Sequence, residues 1–386
     1  MQAYDVIVVG AGPAGSSASL KLAQTGIRVL LIDRKKRPGT PKECAEGVGA
    51  RIFDLIKMPI AEEWISNRFD SASVSFAASG KITFKTFNTK VYVLNRKVFD
   101  YDLAMQAQRA GAQLLFGTPV TDVSISRDGA TVTTPAGSYT SKLLIAADGP
   151  QSQIAARLKM GNIKCGFGYQ YELEGSTDLP HTLQIAFVSQ VTGFDGYYWI
   201  FPKKDSLNVG IGSMRAFELK KRLDQFVLDS GLSSRRIIEQ NAGLVPAQPH
   251  LADICADRLL IVGDAAGFTN PFTGGGIAAA LYSGTLAADV AIAALRENRF
   301  DKRGLEMYAR RWHDSPLSAS WQAGLKLKAL FDDPKRFRIL SGVFAKFDSA
   351  IITSRKDLMS FIFKGLSFQE LHLLYKASIL FRKIIV

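Results

Sequence analysis

The sequence predicts an α/β fold: one parallel sheet built from separated stretches of chain, an inserted antiparallel-sheet domain, and a helical C-terminus. Three observations predict it. Apolar strand-like segments suited to a single parallel sheet recur near residues 5, 28, 143 and 259. Between them, 72–93 and 165–215 carry alternating, aromatic or β-branched stretches broken by turns. From about residue 307 the pattern is helical to the end. The expected boundaries are 1–70, 95–160 and 255–305 for the discontinuous parallel unit, 71–94 and 161–254 for the antiparallel unit, and 306–386 for the helical region.

The elements follow in order. Residues 5–9 read as a strand, 14–25 as a helix closed by Gly26, and 28–32 as a second strand ending at Asp33. This is one βαβ unit of the length a parallel pair requires. Residues 34–50 read as loop, with Pro38, Gly39, Pro41, Gly47 and Gly49. Short antiparallel strands are expected over 73–76, 81–85 and 90–93, then a helix over 97–110 closed by Gly111. Strands over 113–116, 120–126 and 130–134 follow, the last two joined by an Arg127-Asp-Gly129 turn. A buried strand over 143–147 ends in Asp148-Gly149, and residues 217–241 read as helical. Residues 259–262 form another buried strand before Gly263-Asp264 and a long helix. That helix, over 276–295, is rich in small residues and carries Asp289, so it is expected as a buried helix and not a membrane span.

Composition narrows the function classes. With 47% hydrophobic and 22% charged residues, the chain has the make-up of a globular protein. Its net charge of +13 favours an anionic partner. Three cysteines, Cys44, Cys165 and Cys255, argue against a disulfide scaffold and exclude a cluster held by four cysteines of this chain. His181, His250, His313 and His372 share no ligand spacing, so no metal site is expected. There is no G-x-S-x-G nucleophile elbow. The N-terminus carries no basic, apolar targeting pattern, so a cytoplasmic location is expected.

Gly10-Ala-Gly12-Pro13-Ala14-Gly15 is a G-x-G-x-x-G turn between a strand and a helix. Gly10 permits the tight turn, Gly12 lets a pyrophosphate approach the backbone, and Gly15 lets helix and strand pack closely. The helix N-terminus then offers free N–H groups and a favourable dipole to phosphate. Asp33 lies where a carboxylate can accept from ribose hydroxyls. This pattern serves FAD and NAD alike. Two later segments favour FAD: Asp264 can hydrogen-bond a ribityl hydroxyl, and Gly275-Gly276-Ile277 opens a helix whose N–H groups can stabilise a reduced flavin. With Ala146-Ala-Asp148-Gly149, these segments make the chain resemble the flavoprotein group that includes p-hydroxybenzoate hydroxylase. The resemblance implies a Rossmann-type FAD-binding domain, with Pro13, Ala14, Arg34 and Gly263 at the cofactor beside the residues just named. It also implies an arginine near FAD at Arg96, and Val120 beside the adenine.

Two further motifs narrow the group. Tyr197-Tyr-Trp199-Ile-Phe201-Pro202, then seven residues, then Gly210-Ile-Gly212, resembles the Y-x-W-x-F-P and G-x-G pattern of geranylgeranyl reductases. Pro41-Lys-Glu-Cys44-Ala45-Glu-Gly47-Val-Gly49 resembles the cysteine loop beside the flavin in archaeal-type digeranylgeranylglycerophospholipid reductases. Cys44, Ala45 and Gly47 would then be flavin-side positions. Strand alternation puts Tyr197, Trp199 and Phe201 on one face, as an apolar wall or as sheet core. An isoprenoid chain, which offers no hydrogen-bonding groups, suits such a wall.

The resemblance implies a flavin-dependent oxidoreductase that saturates double bonds of a lipid-linked polyprenyl chain by hydride transfer from N5 of reduced FAD. Cys44 is a candidate proton donor. The electron donor is left open between NAD(P)H and a ferredoxin-like protein. Alternatives on this scaffold are an aromatic monooxygenase or halogenase, and a non-catalytic prenyl-binding protein like the Rab escort proteins. Residues 326–386 hold 12 Lys+Arg against 5 Asp+Glu, interleaved with Leu, Phe and Ile in 359–368 and 371–386. Such a basic amphipathic end suits peripheral contact with an anionic membrane surface, and it removes the need to invoke nucleic acid for the charge.

Overall fold

The computed structural model describes residues 2–76, 79–85, 90–190, 193–345, 350–352 and 368–384. Its first sheet is ordered Cys255–Ala256, Leu259–Ile261, Gly137–Ala146, Gln2–Val9, Val29–Ile32, Gln113–Leu115. The first strand of the chain is therefore central, parallel to a neighbour more than a hundred residues away as well as to the next strand. Val6, Ile7 and Val8 are fully buried, which explains why this segment reads as an unbroken apolar run. In register, Val9 lies beside Ile32 and Ala146, and Ala146 beside Ile261. Four strand ends thus stop at one edge, and the loops that follow share one crevice. The predicted hairpin pairs onto the early half of Gly137–Ala146, with Ala130 opposite Ser141.

Helices Pro13–Ala23 and Ile277–Glu297 cross closely beside this sheet. A Cβ on Gly284 would stand 2.1 Å from the Ala14 carbonyl oxygen, so small residues are what allow the approach. Ile277–Glu297 is long and apolar enough to cross a membrane, but two-thirds (67%) of its apolar window is buried against protein, as expected of a core helix.

The second sheet is ordered Ile237–Pro246, Cys165–Glu174, Ser206–Ser213, Gly193–Pro202, Thr182–Gln190, Ser71–Phe76, Ser79–Lys85, Ala350–Ile352. It is mostly antiparallel, with two parallel pairs: Thr182–Gln190 with Ser71–Phe76, and Ala350–Ile352 with Ser79–Lys85. Helix Leu219–Asp229 covers one face, where Leu223 and Val227 meet Leu207, Val209 and Ile211.

Four expectations are corrected. The helix over 217–241 ends at Asp229, and Ile237–Pro246 is a strand. That strand lies at the sheet edge with Ile237 and Ile238 exposed, so it lacks the one-sided burial that alternation would reveal. The loop over 34–50 contains a short strand, Gly47–Gly49. Val91–Leu94 pairs with that strand and with Ile65–Phe69, in a third sheet separate from the antiparallel one. The helical C-terminus is interrupted by the edge strand Ala350–Ile352 between Pro334–Ala345 and Phe368–Ile384. The basic amphipathic stretch over 359–368 lies outside the described residues except for its last position.

The C-terminal helices start as local chemistry dictates. Asp301 accepts from Gly304 N–H at 2.9 Å, and Ser315 from Ser318 N–H at 3.1 Å ahead of Pro316. Where these helices meet the first domain, the His250 ring lies 4.6 Å from Trp321, 5.6 Å from Phe268 and 5.8 Å from His313. Burial holds its pKa below the ordinary 6.5, opposed by its hydrogen bond to the Leu251 carbonyl and reinforced by His313. Unfolded chains take up this proton near pH 6.5 and the folded chain only lower. The stability it confers is therefore present above pH 6.5 and lost as pH falls through that window. We expect a melting temperature that drops as the pH falls from 7 to 5. His250→Gln should flatten this slope; equal slopes in both proteins would refute it.

Candidate functional site

A cavity of about 790 Å³ opens between the strand ends of the first sheet and the inner face of the second. It is lined by Gly10, Gly12, Pro13, Ala14, Asp33, Arg34, Cys44, Ala45, Arg96, Val120, Asp148, Gly149, Asp264, Gly276 and Ile277, and by Tyr197 and Trp199. Residues expected from three distant motifs are thus brought to one space. Gly15, Gly47, Gly263, Gly275 and Phe201 do not line it.

The Gly-rich turn has a distinct reason at each position. Gly10 has φ 106°, and a Cβ there would lie 2.1 Å from the Ala147 carbonyl oxygen. A Cβ on Gly15 would lie 1.8 Å from the Gly10 carbonyl oxygen, so Gly15 acts through packing. Gly12 differs: its φ is −74° and a Cβ would meet no protein atom within 4 Å. Neither backbone nor packing requires glycine at 12. A carbon added there would stand in the open space before an uncapped helix N-terminus.

The three acidic residues first hold their own loops. Asp33 Oδ2 accepts from Ala11 N–H and Oδ1 from Lys35 N–H, both at 2.6 Å, which ties the glycine turn to the second strand. Asp148 accepts from the Ser152 hydroxyl at 2.6 Å and from Ile154 N–H at 3.2 Å. Asp264 accepts from the Thr269 hydroxyl at 2.5 Å, beside Gly276 at the uncapped start of Ile277–Glu297. Burial pushes the carboxyls of Asp148 and Asp264 above the ordinary range, against the hydrogen bonds they accept.

The aromatic motif and the G-x-G motif are two halves of one device. Trp199 lies opposite Gly210 and Tyr197 opposite Gly212 on the neighbouring strand. The Trp199 indole lies over Gly210 and its Nε1 donates to Asn208 Oδ1 at 2.7 Å. The Tyr197 hydroxyl donates to the Thr273 carbonyl, pinning the 271–276 loop to the sheet, and burial drives its pKa up. Phe201 corrects the expectation of a three-residue wall. It continues the row on the same face, but Phe69, Val93 and Gly47 cover it, so it packs beside Trp199 without lining the cavity.

Cys44 is half-buried, and burial pushes its thiol pKa up despite the nearby Arg96 guanidinium and the Glu46 N–H that donates to Sγ at 3.2 Å. The Cys44 carbonyl accepts from Gln170 Nε2 at 3.0 Å and Asn208 Nδ2 at 3.5 Å. Arg96 is paired with Asp100 through two 2.6 Å bonds, which keep its pKa above the ordinary value against burial. Sequence reasoning missed Lys42, Glu46, Glu172 and Lys203, a buried set of charges behind the cysteine loop. The only local signal was the pair of charged residues flanking Cys44 in its own motif. No His/Cys/Asp/Glu cluster fit for a metal occurs among the described residues.

A nucleotide cradle that opens into an aromatic chamber defines a two-lobed flavin-dependent oxidoreductase. Comparison with known proteins agrees. A family model described as an FAD binding domain matches residues 3–316. The digeranylgeranylglycerophospholipid reductase 1 of Methanosphaera stadtmanae is 33% identical over 381 residues, covering 93% of each chain. The crystal structure of a geranylgeranyl bacteriochlorophyll reductase-like protein from Thermoplasma acidophilum superposes with a TM-score of 0.83. It shares 26% identity and covers 98% of this chain and 100% of that one. A flavin-dependent halogenase, 20% identical with a TM-score of 0.66 and covering 99% of this chain and 78% of that one, shares the fold alone. The chain belongs to the FAD-binding flavoprotein family that includes the digeranylgeranylglycerophospholipid reductases. Its cofactor is FAD, and the residues present fit it: Gly12 leaves room at a helix N-terminus that nothing in the protein fills.

Proposed function

We propose that this protein saturates carbon–carbon double bonds of a geranylgeranyl-type chain carried on a lipid. The observation that carries the reading is the continuity of the cavity, from the nucleotide cradle at Gly12 to the apolar face made by Tyr197, Trp199, Phe272 and Leu244. The relatives named for reduction of digeranylgeranylglycerophospholipid support the substrate class. Gly10, Gly12, Pro13 and Ala14 would hold the pyrophosphate, with Asp33, Arg34 and Val120 toward the adenosine. Cys44, Ala45, Arg96, Asp264, Gly276 and Ile277 would lie toward the flavin.

When bound and reduced, FAD supplies the hydride that adds to one alkene carbon. The protein must then hold an unactivated alkene in place, exclude water and deliver a proton to the other carbon. Tyr197 and Trp199 offer shape and apolar area without competing donors at the substrate, because their polar atoms are spent on Thr273 and Asn208. Cys44 keeps its proton at neutral pH because burial raises its pKa, so it is available as the donor. The resulting thiolate would be reprotonated from solvent before the next turnover.

The test is anaerobic reduction of the purified protein, followed by mass spectrometry of prenyl lipids for gains of two hydrogens. We expect the gain with lipid-linked geranylgeranyl chains, and no gain with any prenyl substrate would sink the reading. In the same assay Cys44→Ser should slow saturation about 100-fold while FAD reduction proceeds at the parental rate. Unchanged turnover would remove Cys44 from the chemistry.

A further inference from the structure

Glu46 is completely buried, and neither the dinucleotide motif nor the aromatic motif calls for an acidic residue there. Its backbone is left-handed, with φ 71°. Residues with side chains hold that conformation only where the surroundings over-determine it. Here they do. Its N–H donates to Cys44 Sγ at 3.2 Å and its carbonyl accepts from Leu94 N–H at 2.9 Å. Its Oε1 accepts from Arg96 N–H at 2.9 Å, at the start of helix Arg96–Arg109. Its Oε2 meets Lys203 Nζ at 2.7 Å and Lys42 Nζ at 3.3 Å.

Both lysines go on to Glu172 of the second sheet, at 2.5 Å for Lys42 and 3.5 Å for Lys203, and the Ser206 hydroxyl donates to the same carboxylate. Two cations and two carboxylates, none with a side chain more than 11% exposed, close into a neutral square. Ion sets buried this deeply gain little stability over an apolar filling. What this one supplies is geometry, since it joins the cysteine loop, a helix start and the second sheet at one residue.

The geometry points to Glu46 as a positioning residue that holds the Cys44 thiol and the Arg96 end of its helix in fixed relation on the cavity wall, with Lys42 and Lys203 balancing its charge beside the thiol. Its catalytic meaning rests on the reading of Cys44 as proton donor, but the placement can be measured without turnover. The thiol is also faced by Arg96 and Asp100 from the helix and by Tyr197 from the second sheet, all unchanged in the variants below.

The experiment follows iodoacetamide labelling of Cys44 against pH in the FAD-bound full chain, with Cys165 and Cys255 as internal references, read by peptide mass spectrometry. Glu46→Gln leaves two cations against one carboxylate. Its Cys44 profile should move to lower pH by about one unit, labelling about tenfold faster at pH 7. Lys203→Met removes a cation and should move the profile to higher pH. Opposite shifts at Cys44, with the references unmoved, support the assignment. Superimposable profiles, shifts in the same direction, or failure of both variants to yield folded FAD-bound protein overturn it. Opposite shifts without prenyl reduction by the parent would overturn the functional reading and leave the role of Glu46 standing.

Discussion

Gly12→Ala protein is expected to melt within about 2 °C of the parent and to bind FAD at least about 100-fold more weakly, a loss of about 2.7 kcal/mol. Stability is spared because alanine tolerates φ −74° and its Cβ would meet no protein atom within 4 Å. Affinity is not spared, because that carbon stands in the cavity before the N-terminus of Pro13–Ala23, where N–H groups would meet phosphate. Gly15→Ala provides the contrast. Its Cβ would lie 1.8 Å from the Gly10 carbonyl oxygen and 3.1 Å from Ala147 Cβ, so helix and strand must separate. That variant should lose folded protein and FAD together. Thermal melts of the flavin-free chains and fluorescence titration with FAD read the two effects apart. Parental affinity in Gly12→Ala would show that the cradle holds no pyrophosphate.

Gly210→Ala should cost about 3 kcal/mol and abolish turnover. The new carbon would lie 2.1 Å from one atom of the Trp199 indole and 2.5 and 2.7 Å from two others. The indole has no easy retreat. Its Nε1 is held by Asn208, and its neighbours Tyr197 and Phe201 lie at centroid distances of 6.0 and 6.3 Å. Displacing it breaks a buried hydrogen bond and dismantles the apolar wall. The melting temperature should fall by on the order of 5 °C or more. Adding Trp199→Leu to Gly210→Ala should recover much of the stability by relieving the collision, but not the activity, since the wall is gone. A double variant no more stable than the single one would place the cost elsewhere.

These two glycines show why part of the site was legible in the sequence. At Gly10 and Gly15 the need for glycine arises from a turn and a strand–helix contact, and at Gly12 the fold leaves open space before a helix, all within six residues, so the spacing itself carries the information. Asp33 and Asp264 were legible too, because they closely follow strands whose apolar runs are easy to see. The Y-x-W-x-F-P motif was legible as a row on one face. That Phe201, in the same row, is covered and does not line the cavity depends on Phe69 and Val93, which arrive from a separate small sheet. The edge strand Ile237–Pro246 escaped because exposure at its start breaks the alternation that marks a half-buried strand.

The charged square marks the limit most clearly. Lys42 and Glu46 are near neighbours in the cysteine motif, whereas Glu172 comes from a strand and Lys203 from a hairpin turn, both more than a hundred residues on. Charges in a sequence default to solvent, because burying them unpaired is prohibitive, and only the folded arrangement shows that these four are paired. By itself, then, the sequence determined the Rossmann-type α/β class, because periodicity, turn chemistry and glycine spacing are local properties, and its later motifs carried the resemblance that implied FAD and the family. The tertiary structure alone decided that cradle, cysteine loop and aromatic wall share one cavity, that Gly210 exists for Trp199, and that Glu46 binds the loop to a helix and a second sheet. Those facts depend on contacts between residues far apart in the chain, which no local pattern encodes.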